Sequence, residues 1–168
     1  MMTDKEIIIE GLISSNCIKK GLFTLKNGDT SKYYFNMKNL ISKPKLLKFI
    51  GDEIYKSLPE FDIICGIPYG GLPIASYIST RYNKPMIIIR DKQKKYGMQN
   101  LIEGEYKNSD RCVIIDDVLT TGGSITETYE LLKTKVNIVH IHVILDRQQH
   151  YDLPFISFYN FLLCKNDI

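Results

Sequence analysis

Residues 113–124, which read VIIDDVLTTGGS, constrain this chain more than any other stretch. Three apolar residues, which with Cys112 before them are typical of a buried strand, lead into two adjacent acids, Asp116 and Asp117. A loop of small residues then opens a predicted helix. Glycines let a backbone approach an anion closely, and a helix N-terminus with nearby hydroxyls can donate to phosphate oxygens. Because two acids would repel a phosphate, they need a positive or hydroxylated partner, and a ribose diol fits. The stretch is not a Walker loop, since no lysine follows the glycines.

The middle of the chain alternates between short apolar segments and helical patterns. Strands are predicted at residues 61–67, 85–89, 112–115 and 136–145, and helices at residues 44–58, 72–81 and 124–134. Apolar strands separated by helices are typical of a parallel sheet covered on both faces. We therefore expect a doubly wound α/β fold with a mostly parallel sheet flanked by helices, in which ligands bind at the carboxyl ends of strands. A helix over residues 3–15 and a hairpin around residues 23–35 precede this part.

Composition excludes several classes of protein. The 168 residues suggest one domain, and no apolar run approaches the roughly 20 residues needed to span a bilayer. The N-terminus lacks the layout of a secretory signal, so we expect a cytoplasmic protein. A net charge of +3 is too small to indicate a nucleic-acid partner. The four cysteines lie far apart with no CxxC pair, which argues against a zinc site or a disulfide framework.

Residues 91–111 break the alternating pattern. This stretch has little apolar periodicity and a dense mixture of charges. A loop of that length inside a compact domain is uncommon and often functional.

Residues 113–124 resemble the 5-phosphoribosyl 1-diphosphate (PRPP) binding motif of the type I phosphoribosyltransferases. Every position of that motif is met once Cys112 is included: four apolar residues, two acids, two apolar residues, then a Thr/Gly/Ser phosphate loop. Other segments, in family order, narrow the resemblance to the orotate phosphoribosyltransferases. Residues 23–36 resemble their N-terminal hairpin, residues 66–75 their diphosphate loop, residues 90–104 their mobile catalytic loop, and residues 145–148 the strand end that holds orotate.

The resemblance implies a Mg²⁺-dependent enzyme that transfers the phosphoribosyl group from PRPP to orotate in pyrimidine biosynthesis. It implies one phosphoribosyltransferase domain over residues 1–168, in which a hood (about 1–40 plus 147–168) covers a core (about 41–146). It also implies a homodimer with an active site shared between subunits, and no nucleic-acid or membrane partner. The metal would be held mainly by substrate and water, without direct protein ligands.

Roles for single residues follow from the same resemblance. Asp116, Asp117 and the loop lysine Lys94 are the implied catalytic residues. The implied orotate contacts are Tyr34, Phe35, Thr120 and Arg147, and the guanidinium fork of Arg147 suits a carboxylate and an imide. The implied PRPP contacts are Lys26, Tyr69, Gly70, Arg90, Asp91, Lys94 and Tyr96 near the diphosphate, and Thr121, Gly122, Gly123 and Ser124 at the 5′-phosphate.

Two positions depart from the family pattern. Asp91 stands where the family normally has lysine, and Gly70 stands where many members have lysine. Each change removes positive charge beside a highly anionic leaving group, so we expect weaker diphosphate binding at both positions.

Two other functions remain open from the sequence. A purine phosphoribosyltransferase would share residues 116–124 but would not need Arg147 or the Lys26 hairpin. A non-catalytic, ligand-sensing regulator on the same fold would explain the weakened loop charges.

Overall fold

The structure is a computed structural model that describes residues 2–24, 28, 30–90, 101–147, 153, 157 and 159–168. Within these residues the helices are α1 (Asp4–Ser14), α2 (Pro44–Ser57), α3 (Gly71–Tyr82) and α4 (Gly123–Leu132), with short 3₁₀ helices at Met37–Ser42 and Lys165–Asp167. The strands are β1 (Ile18–Thr24), β2 (Thr30–Phe35), β3 (Ile63–Gly66), β4 (Met86–Ile89), β5 (Ile102–Glu103), β6 (Arg111–Leu119), β7 (Asn137–Asp146) and β8 (Tyr159–Cys164). None of the helices described is both long and apolar enough to cross a membrane.

Six strands form the main sheet in the order β5-β4-β3-β6-β7-β8. All neighbouring pairs are parallel except β4 and β5, which are antiparallel. Gly66 at the end of β3 pairs with Ile88 on β4 and with Ile115 on β6. The carboxyl ends of the central strands therefore lie along one edge of the sheet.

Alternation along the strands builds a separate apolar core on each face of the sheet. On β3, Ile64 belongs to the core that includes α1, α2 and α3, whereas Cys65 belongs to the core that includes α4. Successive side chains of a strand point to opposite faces, which is why two buried cores need continuously apolar strands. Because α3 follows β3 and α4 follows the adjacent β6, the two helices leave the sheet toward opposite faces and open a crevice between their N-termini.

The N-terminal segment consists of α1 and the antiparallel β1–β2 hairpin. Thr3 and Glu6 form the capping box that begins α1: the Glu6 backbone N–H donates to Thr3 Oγ1 at 3.3 Å, and the Thr3 N–H donates to Glu6 Oε2 at 2.7 Å. Leu12 of α1 is fully buried in the same core as α2 and α3. This packing attaches the hairpin to the end of the main sheet where the crevice lies.

Three predictions need correction. Strand β6 does not end at residue 115 but continues to Leu119, because pairing with β7 continues to Leu119 and Asp146. Residues 91–111 are not wholly a loop, since Ile102 is buried and pairs with Ile89 in the short strand β5. The assignment of residues 147–168 to the hood does not hold for Tyr159–Cys164, because β8 pairs with β7 at the edge of the main sheet.

Candidate active site

Most of the predicted site residues that the structure describes come together at the carboxyl edge of the sheet. The β3–α3 loop supplies Tyr69 and Gly70, the end of β4 supplies Arg90, and β7 ends just before Arg147. Strand β6 contributes the two acids and runs into the loop over residues 120–122. Four adjacent strands thus deliver polar groups to one crevice.

The loop between β6 and α4 forms a small, polar cradle. A cavity of about 260 Å³ is lined by Asp116, by residues 118–125 and by Glu127. Gly122 has a φ of +80°, which L side chains rarely adopt, and a Cβ there would also meet the Leu153 side chain at 2.9 Å. Thr126 donates its N–H to the Gly122 carbonyl at 2.8 Å, so the first turn of α4 begins directly at the loop. Hydroxyls and free N–H groups at a helix start suit a phosphate group.

The two adjacent acids lie within β6 beside this cradle, and Asp116 is 7% exposed. The Asp117 N–H donates to Asp116 Oδ1 at 2.8 Å, and the Val118 N–H donates to Asp117 Oδ1 at 2.8 Å. Burial, and secondly the neighbouring Asp117 charge, raise the pKa of Asp116 to about 8. Burial also raises the pKa of Asp117. The buried Asp116 and the half-buried Asp117, both with raised pKa values, will favour a cation or hydroxyl donors as partners.

Glycines let α3 start in direct contact with β6. An ideal Cβ on Gly71 would lie 2.1 Å from the Ile115 carbonyl oxygen, and one on Gly70 would lie 2.0 Å from Asp117 Oδ2. The backbone contact leaves no room for a side chain on Gly71, whereas a side chain on Gly70 would require the Asp117 side chain to move. The β3–α3 loop therefore abuts the acid pair without an intervening group, while the Tyr69 side chain extends outward and is 67% exposed.

Arg147 brings a guanidinium group to the same edge. Its backbone N–H donates to the Leu119 carbonyl at 3.2 Å, which holds the residue beside the phosphate cradle. Its guanidinium carbon lies 5.6 Å from the centroid of the Phe35 ring. The buried Nε of Arg147 has no hydrogen-bond partner among the described residues. A buried cationic donor without a partner is costly, so this group is suited to an anionic acceptor in the crevice.

The structure separates the two aromatic residues that the sequence predicts to flank one ring. Phe35 stacks on Tyr33, with ring centroids 6.1 Å apart, whereas Tyr34 packs on Phe23 with centroids 5.6 Å apart. Consecutive residues of a strand point to opposite faces, so β2 directs Phe35 toward Arg147 and Tyr34 away from Phe35. Phe35 and Tyr34 do not form a pair around one ligand in this arrangement.

Arg90 forms an ion pair with a residue of the same chain. Its Nη1 donates to Glu103 Oε1 at 2.7 Å, across the β4–β5 pair. The predicted contacts Lys26, Asp91, Lys94 and Tyr96 lie outside the described residues, and their roles stay predictions. Among the described residues, no cluster of three or more His, Cys, Asp or Glu side chains could hold a metal ion.

The charge of Lys38 also acts on the acid pair, and no motif in the sequence indicates this residue. Lys38 lies in the 3₁₀ helix that follows β2, and its charge acts on Asp117 to lower that carboxyl's pKa against the effect of burial. An exposed lysine in a polar stretch carries no motif, so only the folded chain reveals this position.

Comparison with known proteins places these features in a family. Residues 37–167 match the phosphoribosyl transferase domain family. The chain is 41% identical over 150 residues to the orotate phosphoribosyltransferase of Pyrococcus abyssi, covering 86% of this chain and 82% of that protein. The Leishmania donovani UMP synthase structure superposes with a TM-score of 0.82 at 34% identity, over 95% of this chain and 36% of that chain. The fold also matches an orotate phosphoribosyltransferase from Aeropyrum pernix, with a TM-score of 0.82 at 24% identity over 95% and 94% of the two chains.

Proposed function

Because the chain belongs to the orotate phosphoribosyltransferases, within the phosphoribosyl transferase domain family, we propose that it transfers the phosphoribosyl group of PRPP to orotate. The products are orotidine 5′-phosphate and diphosphate, and the reaction belongs to UMP biosynthesis. In this reaction N1 of orotate forms a bond to the anomeric carbon, and the bond from that carbon to the diphosphate oxygen breaks.

The observation that supports this proposal is the guanidinium of Arg147 beside the phosphate cradle, whose buried Nε has no hydrogen-bond partner among the described residues. Orotate has a carboxylate and an imide, both of which accept from a guanidinium fork. Adenine, guanine and hypoxanthine have no carboxylate. The position of Arg147 therefore favours orotate over a purine as the acceptor of the phosphoribosyl group.

The phosphate loop and the acid pair are suited to bind the phosphoribosyl group of PRPP. The loop Thr121–Ser124 would bind the 5′-phosphate with its N–H groups and hydroxyls. Asp116 and Asp117 would accept hydrogen bonds from the ribose hydroxyls. Because positive charge develops on the ribose ring as diphosphate departs, two carboxylates beside the ring would stabilise the transition state electrostatically.

The acid pair also fits a nearby divalent cation. Two adjacent carboxyls with raised pKa values, one buried and one half-buried, gain from a cation in the crevice. Mg²⁺ prefers substrate phosphates and water to a full set of protein ligands. When bound with PRPP, Mg²⁺ would neutralise charge on the leaving group. Asp116 and Asp117 would hold it through the ribose hydroxyls or through water.

The proposal includes the residues and the assembly that the resemblance implies beyond the described part of the chain. Lys26, Asp91, Lys94 and Tyr96 would contact the diphosphate side, with Lys94 supplied by the neighbouring subunit of a homodimer. Thr120 would contact orotate and Tyr69 the diphosphate. We also assign the enzyme to the cytoplasm on the strength of the resemblance.

Loss of orotate absorbance in the presence of PRPP tests the proposal. We expect turnover that requires Mg²⁺ and that adenine, guanine or hypoxanthine does not support. Tight binding of PRPP or orotate without turnover would instead indicate a ligand-sensing regulator. Turnover with a purine but not with orotate would contradict the assignment of Arg147.

A further inference from the structure

A row of stacked side chains leads from the β1–β2 hairpin to Arg147. Tyr33 and Phe35 are two residues apart on β2, so both rings lie on the same face of the hairpin. Their centroids are 6.1 Å apart, and their planes differ by only 19°. The guanidinium carbon of Arg147 lies 5.6 Å from the Phe35 centroid. Phe35 therefore connects the Tyr33 ring to the guanidinium of Arg147.

The far end of this row is attached to the rest of the fold. Lys20 pairs with Tyr33 across the hairpin, and its Nζ lies 5.9 Å from the centroid of the Tyr33 ring. The same Nζ donates to the Ile168 carbonyl at 3.2 Å. The rings of Tyr33 and Phe35 are half-buried and pack on the core that includes α1, α2 and α3. The Tyr33 ring is therefore held by the core and by Lys20, and Phe35 rests on a fixed neighbour.

Support of this kind matters for Arg147, whose side chain is long and whose buried Nε has no hydrogen-bond partner among the described residues. A long side chain that nothing holds in place loses rotamer freedom when it binds a ligand, and this loss weakens binding. A flat ring against the guanidinium removes part of that freedom before the ligand arrives, and it uses none of the N–H donors that a carboxylate needs. The row thus orients Arg147 and leaves its donors available.

We infer that Tyr33 is a positioning residue for the orotate site, which acts through Phe35 and Arg147. The inference rests on the proposed function, because it assumes that Arg147 binds the carboxylate of orotate. The stack involves the ring of Tyr33 and not its hydroxyl, so phenylalanine at this position would keep the role. Tyr33 acts on orotate only through the orientation of the guanidinium.

Three variants, and one of them in a second background, test this role. Tyr33→Leu removes the ring, Tyr33→Phe keeps it, and Tyr55→Leu is the matched control. Tyr55 is also half-buried and stacked on a tyrosine, Tyr82, but it contacts Phe61 just before β3, at the opposite edge of the sheet from the crevice. The KM values for orotate and PRPP are measured. Calorimetry gives the affinity for orotidine 5′-phosphate, which carries the same carboxylate as orotate.

The expected loss is confined to the orotate side of the site. We expect Tyr33→Leu to raise the orotate KM and to weaken binding of orotidine 5′-phosphate about three- to tenfold, as for loss of one aromatic contact. The PRPP KM should not change, and Tyr33→Phe and Tyr55→Leu should match the wild type. In an Arg147→Ala background, Tyr33→Leu should have no further effect on either orotate constant, because the guanidinium through which it acts is gone.

Each other result overturns the inference in a recognisable way. If the wild type uses orotate and Tyr33→Leu leaves both orotate constants unchanged, Tyr33 does not position Arg147. An equal rise in the PRPP KM, or the same loss in Tyr55→Leu, would show a general effect on folding. An undiminished effect in the Arg147→Ala background would show that Tyr33 acts through another group. A wild type that neither turns over orotate nor binds orotidine 5′-phosphate removes the proposed function and this inference with it. If Tyr33→Leu does not fold, Tyr33→Met carries the same comparison.

Discussion

Replacement of Asp116 by asparagine should stabilise the protein at neutral and alkaline pH while it removes activity. Asp116 is 7% exposed, and burial together with the Asp117 charge raises its pKa to about 8. In the unfolded chain an aspartate has a pKa of about 3.9. Between these values the folded protein binds a proton that the unfolded chain does not, so the free energy of unfolding falls as pH rises from about 4 to about 8.

The size of this change in the free energy of unfolding follows from the difference between the two pKa values. One bound proton changes the free energy of unfolding by about 1.4 kcal/mol per pH unit, so the contribution of Asp116 between pH 5 and pH 8 is ~3–4 kcal/mol. The buried histidines act in the opposite direction, since burial lowers the pKa of His142 to about 3 and that of His140 below its usual value. They favour folding as pH rises toward 6.5. Their contribution is the same in wild type and variant, so the difference between the two proteins reports the titration of Asp116 together with its effect on the neighbouring Asp117.

Urea denaturation of wild type and Asp116→Asn at several pH values from 5 to 8 measures this difference. We expect similar stability at pH 5 and an advantage for the variant that grows to ~3–4 kcal/mol at pH 8. Glu127→Gln removes an exposed carboxyl from the same cavity and should show no such trend. Turnover of Asp116→Asn should fall about a hundredfold, because positive charge that develops on the ribose would favour the carboxylate form of Asp116, and asparagine cannot ionise to stabilise that charge. A stability difference that does not change with pH would refute the argument that Asp116 is held protonated by burial.

Three further outcomes are expected. Arg147→Ala should raise the orotate KM about ten- to a hundredfold and leave the PRPP KM nearly unchanged, as for a lost charge-assisted hydrogen bond; equal losses for both substrates would show a structural role. Lys94→Ala and Asp117→Asn subunits, each nearly inactive alone, should regain activity on mixing. The expected value is up to about half that of the wild type per mixed dimer, because one of the two shared sites is then whole. No recovery despite subunit exchange would show that Lys94 serves its own subunit. His142→Leu should make the free energy of unfolding less dependent on pH below 6.5, because in the wild type the unfolded chain gains a proton there that the folded chain lacks. Denaturation of both proteins at pH 5 and pH 7 measures this dependence. The same dependence in both would show that His142 does not contribute to it.

Local sequence signals predicted most of the main elements. The capping box of Thr3 and Glu6 fixes the start of α1, and continuous Ile and Val runs indicate β3, β4 and β7, because these signals lie within each element. Strand β5 was missed, since two residues inside a charged stretch become a strand only through pairing with β4. The extension of β6 through both acids was missed for the same reason, because aspartate has little preference for strands outside such pairing.

The part of the candidate site that lies within one sequence motif could be predicted. Asp116, Asp117 and the loop that follows them occupy consecutive positions, so their proximity needed no tertiary information. The separation of Tyr34 from Phe35 could have been predicted from the alternation of side chains along a strand. The effect of the Lys38 charge on Asp117 could not, because it depends on how the 3₁₀ helix after the hairpin packs against the main sheet.

The contact of Gly71 with β6 has a mechanical consequence for the catalytic cycle. With no side chain between the first turn of α3 and the Ile115 carbonyl, helix and strand form one block without a hinge. The spacing between the β3–α3 loop and the acid pair is then set by backbone contact rather than by side-chain conformation. In the proposed reaction, the groups that face the diphosphate and the ribose hydroxyls would therefore keep a constant separation from one turnover to the next.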